Sequence, residues 1–339
     1  QDGKAIVTDL EVAVSVDLPE ATDPCLLPPD LALEFLKGVP GHLTATLIPQ
    51  GRQVTIACGT AYLITLAVEG KPEDFPPVPA VEGQEFRLDG DRFVPALAEV
   101  GAHTATEDSR PVLTGVHLTL GPEVKVCGAD GFTLAVRVVQ RGPEETTTAI
   151  LPRRALTLLP ALWKKAPKQP VMEGITSIAE MAFAKRLIVV TIDGPGKRAR
   201  LSLGTVNLTC VLVEGSYPHY SQLIPNPVNW VRADAAELRR AVTQVSRLAR
   251  EDDGIVRLEW TDKELRVSAG TEAIGQTRVT LNAECRGPGH VALNSRYLSC
   301  YLVGKDGPVT LYSDAPSAPT RWEHDGSALV VIMPMFVQW

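Results

Sequence analysis

The sequence predicts an α+β chain of repeated helix-plus-strands units, and three observations carry that prediction. Runs with an apolar residue at every second position recur along the chain, as in strands with one buried face. Gly, Asp and Pro turns separate those runs where a parallel sheet would need helical crossovers, so the sheets are expected to be antiparallel. Five stretches show helical spacing instead. At 339 residues the chain is too long for one small core and suits two or three domains.

Each element can be justified in order. Leu10, Val12, Val14, Val16 and Leu18 alternate with Glu11, Ala13, Ser15 and Asp17, which reads as a half-buried strand. A helix near Pro28–Val39 precedes a strand at Val54–Cys58. Lys71–Glu82 is Pro-rich and acidic and excludes a central strand. Helical spacing returns at Arg92–Gly101 and at Pro152–Lys165, where Leu156, Leu159 and Trp163 make an apolar stripe. After the turn Asp193–Gly196 comes the strand Val206–Leu212, and Pro218–Val228 is a second Pro-punctuated linker. The helix Asp234–Arg250 has the cleanest pattern, with Leu238, Val242, Val245 and Ala249 on one buried stripe. Strands at Val256–Trp260 and Leu265–Val267, a helix at Asn294–Val303 and a strand at Leu329–Met333 complete the chain. The two linkers cut it into 1–80, 84–225 and 226–339, and each piece repeats the rhythm of a helix followed by strands.

Composition narrows the function. Hydrophobic residues at 45% and charged residues at 22% match an ordinary globular chain and exclude wholesale disorder. No apolar run approaches the ~18 residues of a membrane span, and the start Gln1-Asp2-Gly3-Lys4 is not a signal peptide. Six scattered cysteines form no Cys-x-x-Cys pair and read as reduced thiols, mostly buried, in a cytoplasmic protein. The net charge of −7 argues against a histone-like protein but not against nucleic acid, which a local basic face decides.

No catalytic constellation is found. There is no Gly-x-Ser-x-Gly elbow. The six histidines fit no metal spacing and are expected at the surface or in loops. Gly194-Pro195-Gly196-Lys197 lacks the rest of a phosphate loop and reads as a hairpin turn. Asp89-Gly90-Asp91 resembles a fragment of a calcium loop with no glutamate to complete it. No metal and no cofactor are expected.

Cations, by contrast, are concentrated on helices. Arg240, Thr243, Arg247 and Arg250 share a second face of the Asp234–Arg250 helix. Arg153, Arg154, Lys164, Lys165 and Lys168 fall in a stretch without a single carboxylate. Such runs are either solvated outer faces or a phosphate-attracting surface.

Eight strings in collinear order point to one family. They are Thr8-Asp9-Leu10-Glu11, Asp74-Phe75-Pro76, Ser109–Val116 (SRPVLTGV), Ala129–Ala135 (ADGFTLA), Glu214–Tyr220 (EGSYPHY), Leu223-Ile224-Pro225, Leu293–Leu298 (LNSRYL) and Met333-Pro334-Met335. With them, the chain resembles the bacterial sliding clamp, the beta subunit of DNA polymerase III, over essentially its whole length. The resemblance implies three similar clamp-type domains, helices lining a central hole, antiparallel sheets outside, and a head-to-tail homodimeric ring. Such a ring holds a polymerase on duplex DNA by topology and is not an enzyme. The implied partners are double-stranded DNA, encircled without sequence preference, the DNA polymerase III alpha subunit, the clamp loader and other proteins with a clamp-binding motif. No membrane is involved.

Residue roles follow from the same resemblance. Arg153, Arg154, Lys164, Lys165, Arg240, Arg247, Arg250 and Arg296 are the candidates to face DNA. A partner-peptide pocket between the second and third domains would use Leu113, Gly131, Phe132, Thr133, Leu134, Pro218, Leu223, Val331, Met333, Pro334 and Met335; plain core packing is the other reading of the two methionines. The family usually has His-Arg where this chain has Phe132-Thr133, and an arginine at Gln222. Its short terminus is here Phe336-Val337-Gln338-Trp339, so a greasier, less cationic pocket is expected. The subunit interface would use Leu63 and Ile64 on the strand Ala61–Leu66, meeting Leu248 and the strand Val256–Trp260 of the other subunit. The family's opening helix and two strands have no counterpart here, so the first domain reads as truncated, either a fragment or short of one helix. A clamp-fold interaction module that binds such peptides without encircling DNA is the alternative.

Overall fold

The computed structural model describes residues 3–18, 20, 23–68, 70–107, 109–166, 186–251, 253–271, 273 and 275–338. Gln1, Asp2, Lys168 and Trp339 lie outside them.

All five expected helices form: α1 (Pro29–Lys37), α2 (Gly90–Gly101), α3 (Arg153–Lys165), α4 (Ala235–Ala249) and α5 (Ser295–Leu302). Proline opens α1, where its fixed φ suits the first turn. Asp234 caps α4 by accepting the Glu237 N–H at 2.9 Å. The stripes Leu156, Leu159, Trp163 and Leu238, Val242, Val245, Ala249 are buried, so the 3.6-residue period identified the core faces. Gly90 opens α2 because a Cβ there would meet the Trp163 ring at 2.1 Å. That close approach, rather than a cation loop, explains Asp89-Gly90-Asp91; among the described residues no His, Cys, Asp and Glu gather to hold a metal.

Among the described residues every strand pairing is antiparallel. One sheet runs in the order β1 (Lys4–Thr8), β2 (Val12–Asp17), β13 (Val206–Val211), β12 (Arg198–Leu203), β11 (Leu187–Asp193), β6 (Gly83–Asp89). A second runs β10 (Thr147–Leu151), β7 (Val116–Leu120), β8 (Glu123–Ala129), β9 (Thr133–Arg141), β22 (Leu329–Ile332), β21 (Thr320–His324), β20 (Pro308–Tyr312), β14 (Trp230–Asp234), β18 (Glu284–Arg286). The third is β17 (Gly275–Asn282), β16 (Glu264–Thr271), β15 (Ile255–Thr261), β19 (Gly289–Asn294), and the fourth β3 (Ala45–Gln50), β4 (Gln53–Cys58), β5 (Tyr62–Ala67).

Two of these sheets are sewn together from distant stretches. β2 pairs with β13, and β9 pairs with β22. Helix α2 packs on α3 and α4 on α5 against the sheets. Helix α1 differs. Its apolar cluster holds Ala32 and Phe35 with Ile56, Cys58 and Leu66 of its own small sheet and no residue of another helix. Leu31, Leu33 and Leu36 are left exposed.

The histidine expectation holds for His42, His219 and His290, which are exposed, and needs correcting for His103, which is 3% exposed; His117 and His324 are half-buried on strands. The short polar run after α2 tucks His103 beneath β9, which local polarity alone does not reveal. All six cysteines are free thiols; Cys58, Cys127 and Cys210 are buried, while Cys25, Cys285 and Cys300 are half-buried. Among the described residues no helix is long and apolar enough to cross a membrane.

Candidate peptide and nucleic-acid surfaces

The seam between β9 and β22 sets Leu134 opposite Val331 and Thr133 opposite Ile332. Leu134 and Val331 join Leu113, Ile150, Cys127 and Tyr217 in one buried apolar cluster, separate from the main core. The turn leading into β9 is built by one carboxylate. Asp130 Oδ1 accepts the N–H of Phe132 at 2.9 Å, the N–H of Thr133 at 2.6 Å and the Thr133 hydroxyl at 3.1 Å. Gly131 is needed there, because its φ is +93° and a Cβ would come within 2.9 Å of Arg110. With its hydroxyl donated to Asp130, Thr133 Oγ1 accepts from His103 Nδ1–H at 3.2 Å. Burial holds the His103 imidazole down to a pKa of about 4, against the pull of Asp130, so it is neutral at pH 7.

Above this floor the surface is apolar and open. Phe132 is 59% exposed and lies nearly parallel to Tyr297 of α5, with ring centroids 6.0 Å apart. Met333 N–H donates to the Phe132 carbonyl at 2.9 Å, and Met335 N–H to the Ala292 carbonyl at 2.8 Å, which pins Met333-Pro334-Met335 along the site. Leu223 and Met333 are exposed, and Phe336 beyond them is exposed too. Pro218 and Leu223 reach the site through their neighbours Tyr217 and Ile224, both part of the apolar cluster. The proposed pocket residues are thus brought together: Leu113, Thr133, Leu134 and Val331 buried, Gly131, Phe132, Pro218, Leu223 and Met333 exposed, Pro334 and Met335 between. Arg110, Ile150, Tyr217 and Tyr297 were missed. Three of the four lie inside the strings quoted for the resemblance, so that signal was available; Ile150 carried none.

Beneath the seam an ion network, with Lys305 buried and Glu99 and Arg137 half-buried, ties α2 to the stretch after α5. Lys305 Nζ contacts Glu99 Oε1 at 3.1 Å, and Glu99 Oε2 receives Arg137 Nη1 at 2.6 Å. The Lys305 ammonium also sits 4.6 Å from the Tyr301 ring centroid. Burial alone would raise the Glu99 pKa, but Lys305, the Ala328 backbone and Arg137 outweigh it and hold the carboxyl below its ordinary value.

The eight proposed DNA-facing cations are all exposed. Their surroundings differ. Arg154 pairs with Asp9 at 2.9 Å, and Arg153 donates to the Ala105 carbonyl at 3.4 Å. Lys164, Lys165, Arg240, Arg247, Arg250 and Arg296 meet no carboxylate among the described residues. The α3 and α4 cations stand opposite buried stripes.

At the proposed interface, β5 is an edge strand with Leu63 66% exposed and Ile64 half-buried. The opposite edge, β3, carries Pro49, which has no N–H to offer. Leu248 ends α4 half-buried against β16, where a Cβ on Gly270 would strike it at 2.7 Å. The expectation for Val256–Trp260 is corrected. That strand is β15, paired on both sides by β16 and β19, so it has no edge to offer. The β19 edge already receives Met335, which leaves β17 as the outer strand beside Leu248.

No protein-family model matches the chain. It is 24% identical to the beta sliding clamp homolog GriR of Streptomyces muensis over 343 residues, covering 96% of this chain and 86% of that one. It is 25% identical to the beta sliding clamp of Synechococcus elongatus over 282 residues, 80% of this chain and 70% of that one. Among solved structures, the DNA polymerase III beta subunit of Thermotoga maritima superposes with a TM-score of 0.85 at 19% identity, covering 100% of this chain and 90% of that one.

Proposed function

We propose, for a chain that has the sliding-clamp fold from end to end, that it is a processivity clamp on duplex DNA and a docking platform for replication proteins. A sliding clamp is no enzyme, and its work is electrostatic and topological. The observation that carries the reading is the set of exposed cations on α3, α4 and α5, in a protein of net charge −7. A ring must hold phosphates without reading bases, since tight base contacts would stop it sliding; scattered Lys and Arg supply that diffuse attraction. Two copies joined head to tail, each of three clamp domains at 1–80, 84–225 and 226–339, would enclose the duplex in the cytoplasm. The apolar seam would take the hydrophobic motif of the DNA polymerase III alpha subunit, of the clamp loader and of other clamp-binding proteins. Its adaptable methionines suit varied partners.

The test is retention on nicked circular DNA after loading. We expect the protein to stay on the circle at moderate salt and to run off once the circle is linearised. Equal retention on circle and linear DNA refutes encirclement.

A second reading has one observation in its favour. Helix α1 packs with no other helix among the described residues and leaves three leucines exposed, unlike the paired α2–α3 and α4–α5. If that unit does not close a ring, the chain is a clamp-fold interaction module that binds the same peptides without DNA, and light scattering would find a monomer.

A further inference from the structure

Beside the apolar cluster lies a cavity of about 800 Å³, within the ~300–1,000 Å³ span of ligand sites. It shares three residues with the proposed peptide pocket, Ile150, Tyr217 and Pro218. Three rings line it. His117 stacks on Tyr217 at 4.8 Å, and Tyr220 stands edge-on to both at 6.1 and 6.4 Å. His117 Nδ1 is buried with no hydrogen-bond partner among the described residues, and burial lowers its pKa, so the ring is neutral. The charges on the rim, Lys197 and Glu214, are 3.4 Å apart and answer each other.

The cavity also exposes backbone. Its floor is β10, the edge of the nine-stranded sheet. The Ile150 carbonyl accepts the Val213 N–H at 3.0 Å, so the polar groups of Ile150 point away from β7. Antiparallel alternation then turns the N–H and C=O of Thr148 outward as well, and no described group takes them. An extended chain laid along β10 would find one donor and one acceptor there, the geometry of strand addition.

We propose that this cavity is a second docking site for the same partner segment, taking an extended, uncharged flank that carries an aromatic side chain. The flank's backbone would pair with Thr148, and its ring would lie on Tyr220 and His117. The inference rests on the peptide-docking reading above, because Pro218 makes the two sites continuous. A charged flank gains nothing where the rim ions are already paired, and flat neutral rings favour a flat neutral partner.

Fluorescence polarisation on the full chain tests it with three labelled peptides. One is a short Gln-Leu-x-Leu-Phe-type motif; the others are the same motif lengthened at either end by an uncharged segment containing tryptophan. One lengthened peptide is expected to bind about tenfold tighter, the worth of two backbone hydrogen bonds and a ring contact. Thr148→Pro, which removes the edge N–H, and Ser221→Arg, which crowds the exposed rim, should each abolish that gain and leave short-peptide binding unchanged. No gain from either lengthened peptide, or a gain that survives both substitutions, overturns the proposal. Short-peptide binding that is absent, or unaltered by Leu134→Ala with Met333→Ala, removes the pocket reading instead and the second site with it.

Discussion

Glu99 and Lys305 stand 206 residues apart in sequence and 3.1 Å apart in space, so one ion pair fixes how two distant stretches meet. His103 lies in the same interior, and its burial ties folding to pH. Unfolded, it binds a proton near pH 6.5; folded, only near 4. Between those values the unfolded chain holds the extra proton, so the contribution of His103 is constant above pH 6.5 and is lost as pH drops towards 4. The contribution is on the order of 3 kcal/mol across the window. Urea midpoints measured through that range should fall steeply for the native chain and less so for His103→Asn; equal slopes would mean His103 is not the group. None of the three announced itself in the sequence. His103 sits in Ala102–Thr106, a run that reads as a polar loop, and its burial depends on Thr133 and Asp130 arriving from another strand. The turn residues were more legible, since Asp130-Gly131 carries a carboxylate that organises it and a glycine that its φ demands.

At the scale of elements, periodicity was informative and pairing was not. The buried stripes of α3 and α4 fall where the 3.6-residue spacing put them, and β2, β4, β13 and β22 lie where alternation did. What alternation cannot give is the neighbour of each strand. The β2–β13 and β9–β22 pairings join residues far apart, and no local feature of Val331 says that Leu134 lies opposite. Val256–Trp260 fails as an interface strand for the same reason, because an apolar strand reads alike in the middle of a sheet and at its edge. The edge that does offer itself is β5. A lysine there is how natural sheets refuse a partner strand, so Leu63→Lys should shift light-scattering mass from dimer to monomer while the thermal melt holds. An unchanged mass would move the interface elsewhere.

For the whole molecule the decisive quantity is charge. If the helix cations attract phosphates, affinity for duplex DNA must fall linearly with the logarithm of salt, each contact adding ~0.9 to the slope. Lys164→Glu and Arg247→Glu should each flatten that slope by about 1 and weaken binding alike on any sequence. A slope unmoved by either would put both side chains on a surface that DNA never meets. The order of synthesis adds a final constraint. Strand β22 is translated after the other strands of its sheet and then inserts between β9 and β21, in the middle of the nine-stranded sheet rather than at its rim. A ribosome-bound chain therefore carries β9 without its second neighbour from the time that strand is made until β22 follows. Such an unsatisfied edge invites chaperones and misassembly until β22 closes the gap.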